Sequence, residues 1–486
     1  MSRTPELLRA GGVVARAIGA DTLTPVSAAL RLRDRLAFIL ESVEGGARYG
    51  RYSHVGVRGR MLTVDGDEAV LRDHDYRELD RFAAHDPLEA LRRILPPPVS
   101  DPRFPFPLSS GVGYLAYEAA ARWERLPVPE ADPVGLPLAC FHVPDVVIAF
   151  DHLAQRATLA TREDAGAEDR LAEVAERLAR PVPDEAPADL PRPGERAPRP
   201  QPPAADPRYE ASVRSMVEEI HAGEFLQGVP ARRFTVRNTA PALEVYRALR
   251  RINPSPHLYA VDLGPGRSIL GASPELLVRV KDGAMATRPI AGTRPRSDDP
   301  VRDVELEEEL LADAKELAEH AMLVDLARND IGRVAAPGSV EVPLLYAIER
   351  YSHVMHIVSE VRGRLAEGID AFDVVRSTFP AGTLSGAPKV RAMQSIAAQE
   401  QERRGPYGGA VGIFAPDDVE AAITIRSVVL RDELAFVHAG AGIVADSVPA
   451  NESAEVAAKA GAVLAALAET GSDMSVLATP PQGGAR

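Results

Sequence analysis

Two pairs of glutamates are spaced for joint chemistry. Glu316 and Glu319 lie three residues apart, as do Glu452 and Glu455, and Lys459 follows four after Glu455. On a helix, residues three and four apart share one face. Two such helices facing each other would aim four carboxylates at one point. Hard oxygen ligands suit Mg²⁺, which takes one or two protein carboxylates and completes its shell with water and substrate oxygens. Each pair taken alone reads as a solvated charged face, the commoner use of this spacing.

The elements that must carry these residues can be read from periodicity. The pattern predicts a long acidic helix over 304–328 and a closing Ala-rich helix over 452–468. An amphipathic helix over 209–222 stops at Gly223, and another runs over 171–178. Apolar runs predict strands over 37–42, 52–57, 112–117, 146–150 and 352–362. Residues 271–278 read as a turn into a strand, and 423–436 as strands split by a turn near Arg431-Asp432. No steady βαβ rhythm appears, so the class is α+β. Residues 181–207 hold ten prolines and little apolar surface, which predicts a loop or linker. It divides the chain into an N-terminal region over 1–180 and a C-terminal region over 208–470 that carries nearly all the chemistry, followed by a flexible tail over 471–486.

Composition narrows the class. The chain has 486 residues, 45% of them hydrophobic, as in a packed globular protein. A net charge of -14 argues against a nucleic-acid binder, which needs a basic footprint. No run of eighteen apolar residues predicts a membrane span, and residues 1–20 lack a signal-peptide core, so a cytoplasmic protein is expected. Cys140 is the one cysteine; it excludes an internal disulfide and lies in an apolar run as a small core residue.

Three longer motifs go further. They are Arg288-Pro289-Ile290-Ala291-Gly292-Thr293-Arg294-Pro295-Arg296, the run from Glu319-His320 to Asn329-Asp330, and Pro380-Ala381-Gly382-Thr383-Leu384-Ser385-Gly386-Ala387-Pro388-Lys389. In order and length they resemble the signature of the chorismate-utilising enzymes, over residues 20–150 and 206–465. The resemblance implies a chorismate-binding fold of two facing, mostly antiparallel sheets flanked by helices, with the N-terminal region packed on the catalytic region.

It also implies roles. Glu319 and Glu455 would be the Mg²⁺ ligands, with Glu316 and Glu452 as close or water-mediated partners. Glu275 resembles the general acid for the departing hydroxyl, and burial would keep it protonated. His356 rather than His353 matches the active-site histidine, and Thr383, Gly292 and Thr293 complete the pocket. Arg426, Tyr407 and the backbone of Gly440-Ala441-Gly442 would hold the enolpyruvyl carboxylate, while Lys459 offsets the carboxylate cluster.

Two positions select the nucleophile. Gln227 stands where water-activating members of the family carry a lysine base, and Ala291 replaces another family lysine. Both point to ammonia attack at C2 and pyruvate loss, giving anthranilate, with aminodeoxyisochorismate synthesis as the enzymatic alternative and a non-catalytic tryptophan-binding regulator as the other. No glutamine-hydrolysing triad is visible, which predicts a separate glutaminase subunit as the ammonia source and a hetero-oligomer. Leu40-Glu41-Ser42 and Asn253-Pro254-Ser255-Pro256 resemble the segments that bind L-tryptophan as a feedback inhibitor.

Overall fold

A computed structural model describes residues 7–42, 50–99, 103–183, 205–297, 299–350 and 354–475. Most of the proline-rich stretch, the tail from 476 and His353 lie outside the described residues.

Among the described residues two antiparallel sheets, of eleven and twelve strands, dominate. In the first, Tyr52–Val57 and Leu36–Glu41 pair side by side, and His257–Asp262, Arg267–Ser273, Ser427–Arg431, Leu434–Gly440 and Ala231–Arg237 follow in that order. The second runs from Ile290–Pro295 and Val354–Arg364 through Leu276–Lys281, Val419–Ile423, Ala410–Phe414 and Gly111–Leu115 towards Glu78–Ala83. Strands from before and after the proline-rich stretch share both sheets, so the two regions are interleaved by backbone pairing.

Both faces of each sheet are covered, which explains the continuous apolar strands. In Val146–Asp151, Val146, Ile148 and Phe150 enter one core while Val147 and Ala149 enter another. The core that includes Val147 joins residues of both sheets, such as Phe38, Tyr114, Cys140, Tyr259 and Phe436, and is the layer between them. The outer face of the first sheet is closed by helices including Pro207–His221, Ala242–Ile252 and Pro449–Glu469. The outer face of the second is closed by Pro87–Ile94, Ala314–Gly332 and Ala371–Thr378.

Two sequence expectations need correcting. The helix predicted over 304–328 is two helices, Pro300–Ala312 and Ala314–Gly332. Asp313 separates them: its carboxylate accepts from the N–H groups of Lys315 and Glu316 and caps the second. The turn expected at 271–278 is narrower, because Arg267–Ser273 continues as strand and only Pro274 and Glu275 intervene before Leu276–Lys281. Among the described residues no helix is long and apolar enough to cross a membrane.

Candidate active site

The site lies where the chain crosses between the sheets. Arg267–Ser273 belongs to the first sheet and Leu276–Lys281 to the second, so Glu275 sits at the crossing. Val419–Ile423 and Ser427–Arg431 make the reverse crossing, with Arg426 in it. The two crossings are stitched together: Ile423 N–H donates to Glu275 O at 3.0 Å, and Ala272 N–H to Arg426 O at 3.1 Å. Arg426 takes φ +51°, an uncommon value for a side-chain-bearing residue, at this corner.

Glu275 is buried, 8% exposed. Burial pushes its carboxyl up to about 8, against opposition from the Thr383 hydroxyl and the Lys459 charge. Thr383 Oγ1 donates to Glu275 Oε1 at 3.1 Å. A carboxyl in this state holds its proton at neutral pH and can act as an acid.

His356 lies on Val354–Arg364, paired with Ile290–Pro295, where the register slips between Ala291 and Thr293. The slip brings Gly292 O within 3.0 Å and Thr293 Oγ1 within 3.1 Å of His356 Nδ1. Burial lowers the imidazole pKa. A neutral ring donating Nδ1–H to Gly292 carries its basic lone pair on Nε2. Ala291 sits opposite Ile357 in the same ladder.

The carboxylates come from the two helices expected to bear them. Ala314–Gly332 carries Glu316 and Glu319, and Pro449–Glu469 carries Glu452, Glu455 and Lys459. Burial raises the pKa of Glu319, the Gln227 hydrogen bond opposes it, and Glu316 raises it further. Burial likewise raises Glu452, and Glu455 adds to the rise. Lys459 acts on both Glu319 and Glu452, which ties the two helices to one electrostatic site. Its Nζ pairs with Glu455 Oε1 at 2.7 Å and donates to Gly440 O at 3.1 Å. Arg294 lies 3.4 Å from Glu316.

Gln227 is buried, and its Nε2–H donates to Glu319 Oε1 at 2.9 Å, while Oε1 has no hydrogen-bond partner among the described residues. It belongs to a two-residue strand paired with Gly386–Ala387. Gly386 has φ +140°, and a Cβ there would lie 2.0 Å from Gln227 O, so only glycine lets the two segments meet. At Gly442 an added Cβ would lie 2.7 Å from Gln227 Nε2, so a side chain there would displace the amide.

Tyr407 is buried and stacked on His438 with ring centroids 5.3 Å apart. Its hydroxyl faces Gly440, where an added Cβ would lie 3.1 Å away, and burial pushes its pKa up to about 12. The Arg426 guanidinium donates to Lys459 O. Arg426, Tyr407, Gly440 and Lys459 thus lie together at one corner.

The strand expected to bind tryptophan lies beside the strand that follows the Asn253 to Ser255 segment. Leu36–Glu41 pairs with His257–Asp262, with Glu41 opposite Leu258, and Asn253 caps the helix Ala242–Ile252 just before. Pro254 follows that cap, and Ser255 Oγ donates to Asn253 O at 3.3 Å. The Glu41 carboxylate accepts from Tyr246 Oη at 2.6 Å and from Arg250 at 2.9 and 3.1 Å. Ser42 directly follows this strand.

Sequence reasoning passed over several supports. Ser359 Oγ lies 2.7 Å from Nε2 of His320, the neighbour of Glu319, and Arg404, buried near the site, was not singled out. The glycines and proline after Arg404 were the available signal, since they imply a tight turn whose flanks are buried.

Residues 37–465 match the family model of the chorismate binding enzyme. The chain is 44% identical over 468 residues to anthranilate synthase component 1 of Streptomyces coelicolor, covering 92% of this chain and 87% of that one. It is 43% identical over 465 residues to anthranilate synthase component 1 of Pseudomonas aeruginosa, covering 92% and 94%. The crystal structure of anthranilate synthase component I from Streptococcus pneumoniae matches with a TM-score of 0.75 at 34% identity, covering 92% of this chain and 99% of that one. Sequence and fold agree, and the chain belongs to the family of chorismate binding enzymes.

Proposed function

We propose that this enzyme converts chorismate and ammonia to anthranilate, pyruvate and water, as the names of its relatives suggest. The contact between Gln227 and Glu319 carries the choice of ammonia. An amide cannot take a proton from water, whereas ammonia is already a nucleophile.

In this reading Arg426, Tyr407 and the backbone of Gly440 and Gly442 hold the enolpyruvyl carboxylate. Ammonia attacks C2, the ring double bonds shift, and the C4 hydroxyl leaves as water with the proton of Glu275. Loss of the C2 proton and of the pyruvyl group then makes the ring aromatic, with His356 Nε2 beside it as the basic atom. Thr383 keeps Glu275 aimed.

The carboxylate set fits Mg²⁺. Its atoms are hard oxygens, Glu319 and Glu452 carry raised pKa values, and Gln227 Oε1 is buried without a partner. Among the described residues no group of three or more His, Cys, Asp or Glu side chains is already drawn together around one point. Glu319 and Glu455 would hold the ion, with Glu316 and Glu452 behind them, and it would neutralise the ring carboxylate.

Ammonia would come from a glutaminase on a separate chain. Cys140, the one thiol, is buried between the sheets, and burial raises its pKa away from a reactive thiolate. L-Tryptophan would bind between Ser42 and the Asn253 to Ser255 segment. The Glu41 carboxylate already accepts three hydrogen bonds, so the ligand's ammonium would rely on backbone carbonyls there.

Incubation with chorismate, an ammonium salt and Mg²⁺, followed by chromatography, tests the reading. Equal amounts of anthranilate and pyruvate are expected, with no turnover when ammonium is omitted. Isochorismate as the main product would overturn the role of Gln227. An amine that retains the pyruvyl ether would overturn the elimination step.

A further inference from the structure

Arg404 is almost wholly buried, 2% exposed, and takes no part in the chemistry derived above. Its guanidinium binds three separate segments. Nη1 donates to Leu384 O at 2.8 Å, directly after Thr383. Nη2 donates to Val229 O at 2.6 Å, two residues after Gln227. Nε donates to Glu400 Oε2 at 2.8 Å, and Glu400 Oε1 accepts from Ala231 N–H at 2.8 Å, in the same strand-entering segment as Val229.

The ring wall and the loop are tied to the same group. The guanidinium carbon lies 4.4 Å from the Tyr117 ring centroid and 5.8 Å from that of Tyr407. From the other side, the Glu118 carboxylate accepts from Arg404 N–H at 2.7 Å and Gly405 N–H at 3.1 Å, so the backbone that leads to Tyr407 is clamped at both ends of one residue.

We propose that Arg404 is a positioning residue of this site, one buried guanidinium that sets the relative placement of Gln227, Thr383 and Tyr407. Residues 227–229 and 383–384 are remote in the chain from each other and from 404–407, the segment that carries the guanidinium. A planar fork with fixed donor directions can hold two carbonyls and a carboxylate at once; an ammonium cannot reproduce those directions from a single nitrogen. The charge is offset by Glu400, as a buried guanidinium requires. The inference rests on the placement of Gln227, Thr383 and Tyr407 in the catalytic site.

Arg404→Lys tests it, with Thr383→Val as the benchmark. Arg404→Lys keeps the charge against Glu400 but loses the two-carbonyl grip. The expected result is a folded protein with kcat lower by about a hundredfold, the order that a 1 Å misplacement costs. Its basic pH limb should also move upward as in Thr383→Val, because Glu275 loses the hydroxyl that opposes its raised pKa. A merely structural arginine would lower the folded fraction without moving that limb. A folded Arg404→Lys with wild-type kcat and limb overturns the inference. If Arg404→Lys does not fold, Glu400→Gln serves: it keeps an acceptor for Ala231 and drops the counter-charge, and the same upward shift is expected with a smaller loss. An unmoved limb there, or failure of both variants to fold, also overturns the inference. If Thr383→Val itself leaves turnover and limb unchanged, the site reading fails, which separates that failure from this one.

Discussion

The catalytic corner and the Glu41 corner are both built around buried carboxylates, yet they are finished differently. Glu41 is satisfied within the protein by Tyr246 and Arg250. Among the described residues, Glu275 and Glu319 take their hydrogen bonds from neutral donors, Thr383 and Gln227, and burial raises the proton affinity of both. A charge left without a buried counter-charge is costly unless something else completes it. The Glu41 corner is thus complete as folded, whereas in the proposed reading a proton on Glu275 and a cation beside Glu319 would complete the catalytic corner.

The contrast can be broken most forcefully at the catalytic end. Glu319→Gln should lower turnover about a thousandfold or more, the scale set by several kcal/mol of lost charge stabilisation, while the fold persists. An active variant with unchanged Mg²⁺ dependence, read by anthranilate fluorescence, would show that the ligand assignment is wrong. Glu275→Gln should lower kcat by about 10²–10⁴ through loss of the acid, and stopped or steady-state assays with unchanged circular dichroism check this. At the other corner, Ser42→Arg should abolish inhibition by L-tryptophan yet change uninhibited turnover by no more than about twofold, as expected of a change outside the catalytic pocket. Titration of both proteins decides it; equal sensitivity removes Ser42 from the site, and an insensitive wild type removes the feedback reading. The smallest effect is on stability: Glu41→Ala should cost about 1–3 kcal/mol in a denaturant titration, because the buried Tyr246 hydroxyl loses its acceptor, with kcat retained. A large loss of turnover in that variant would dissolve the distinction between the corners.

How much of this was legible depended on whether local pattern or tertiary context decided the matter. The strand Tyr52–Val57 and the two helices carrying the glutamate pairs were readable because their periodicity is local. The break at Asp313 was not, since an aspartate that caps a helix looks the same in an acidic run as one that faces water. Glu275 was read by resemblance, but its crossing between sheets depends on strand order, which the sequence pattern does not encode. The Arg404–Glu400 pair shows the limit most clearly. Charged residues at i,i+4 spacing usually mark a solvated face, and only the packing of remote segments, at Val229 and Leu384, around them makes them internal.

The central claim is that Glu275 acts as a buried, protonated acid, and its pH dependence tests that most directly. The group must be protonated to work, and its pKa is raised to about 8, so kcat/KM for chorismate should be level with respect to this group below that value and fall above it. The sign for stability agrees: the folded state favours the neutral carboxyl, so this group's contribution is full below the ordinary glutamate range and is lost as pH rises through about 8. The kcat/KM profile for chorismate, measured with ammonia held constant as the free base, should show a basic limb near 8 that moves upward in Thr383→Val. A limb near the ordinary carboxylate value, with activity already lost at neutral pH, would contradict the account.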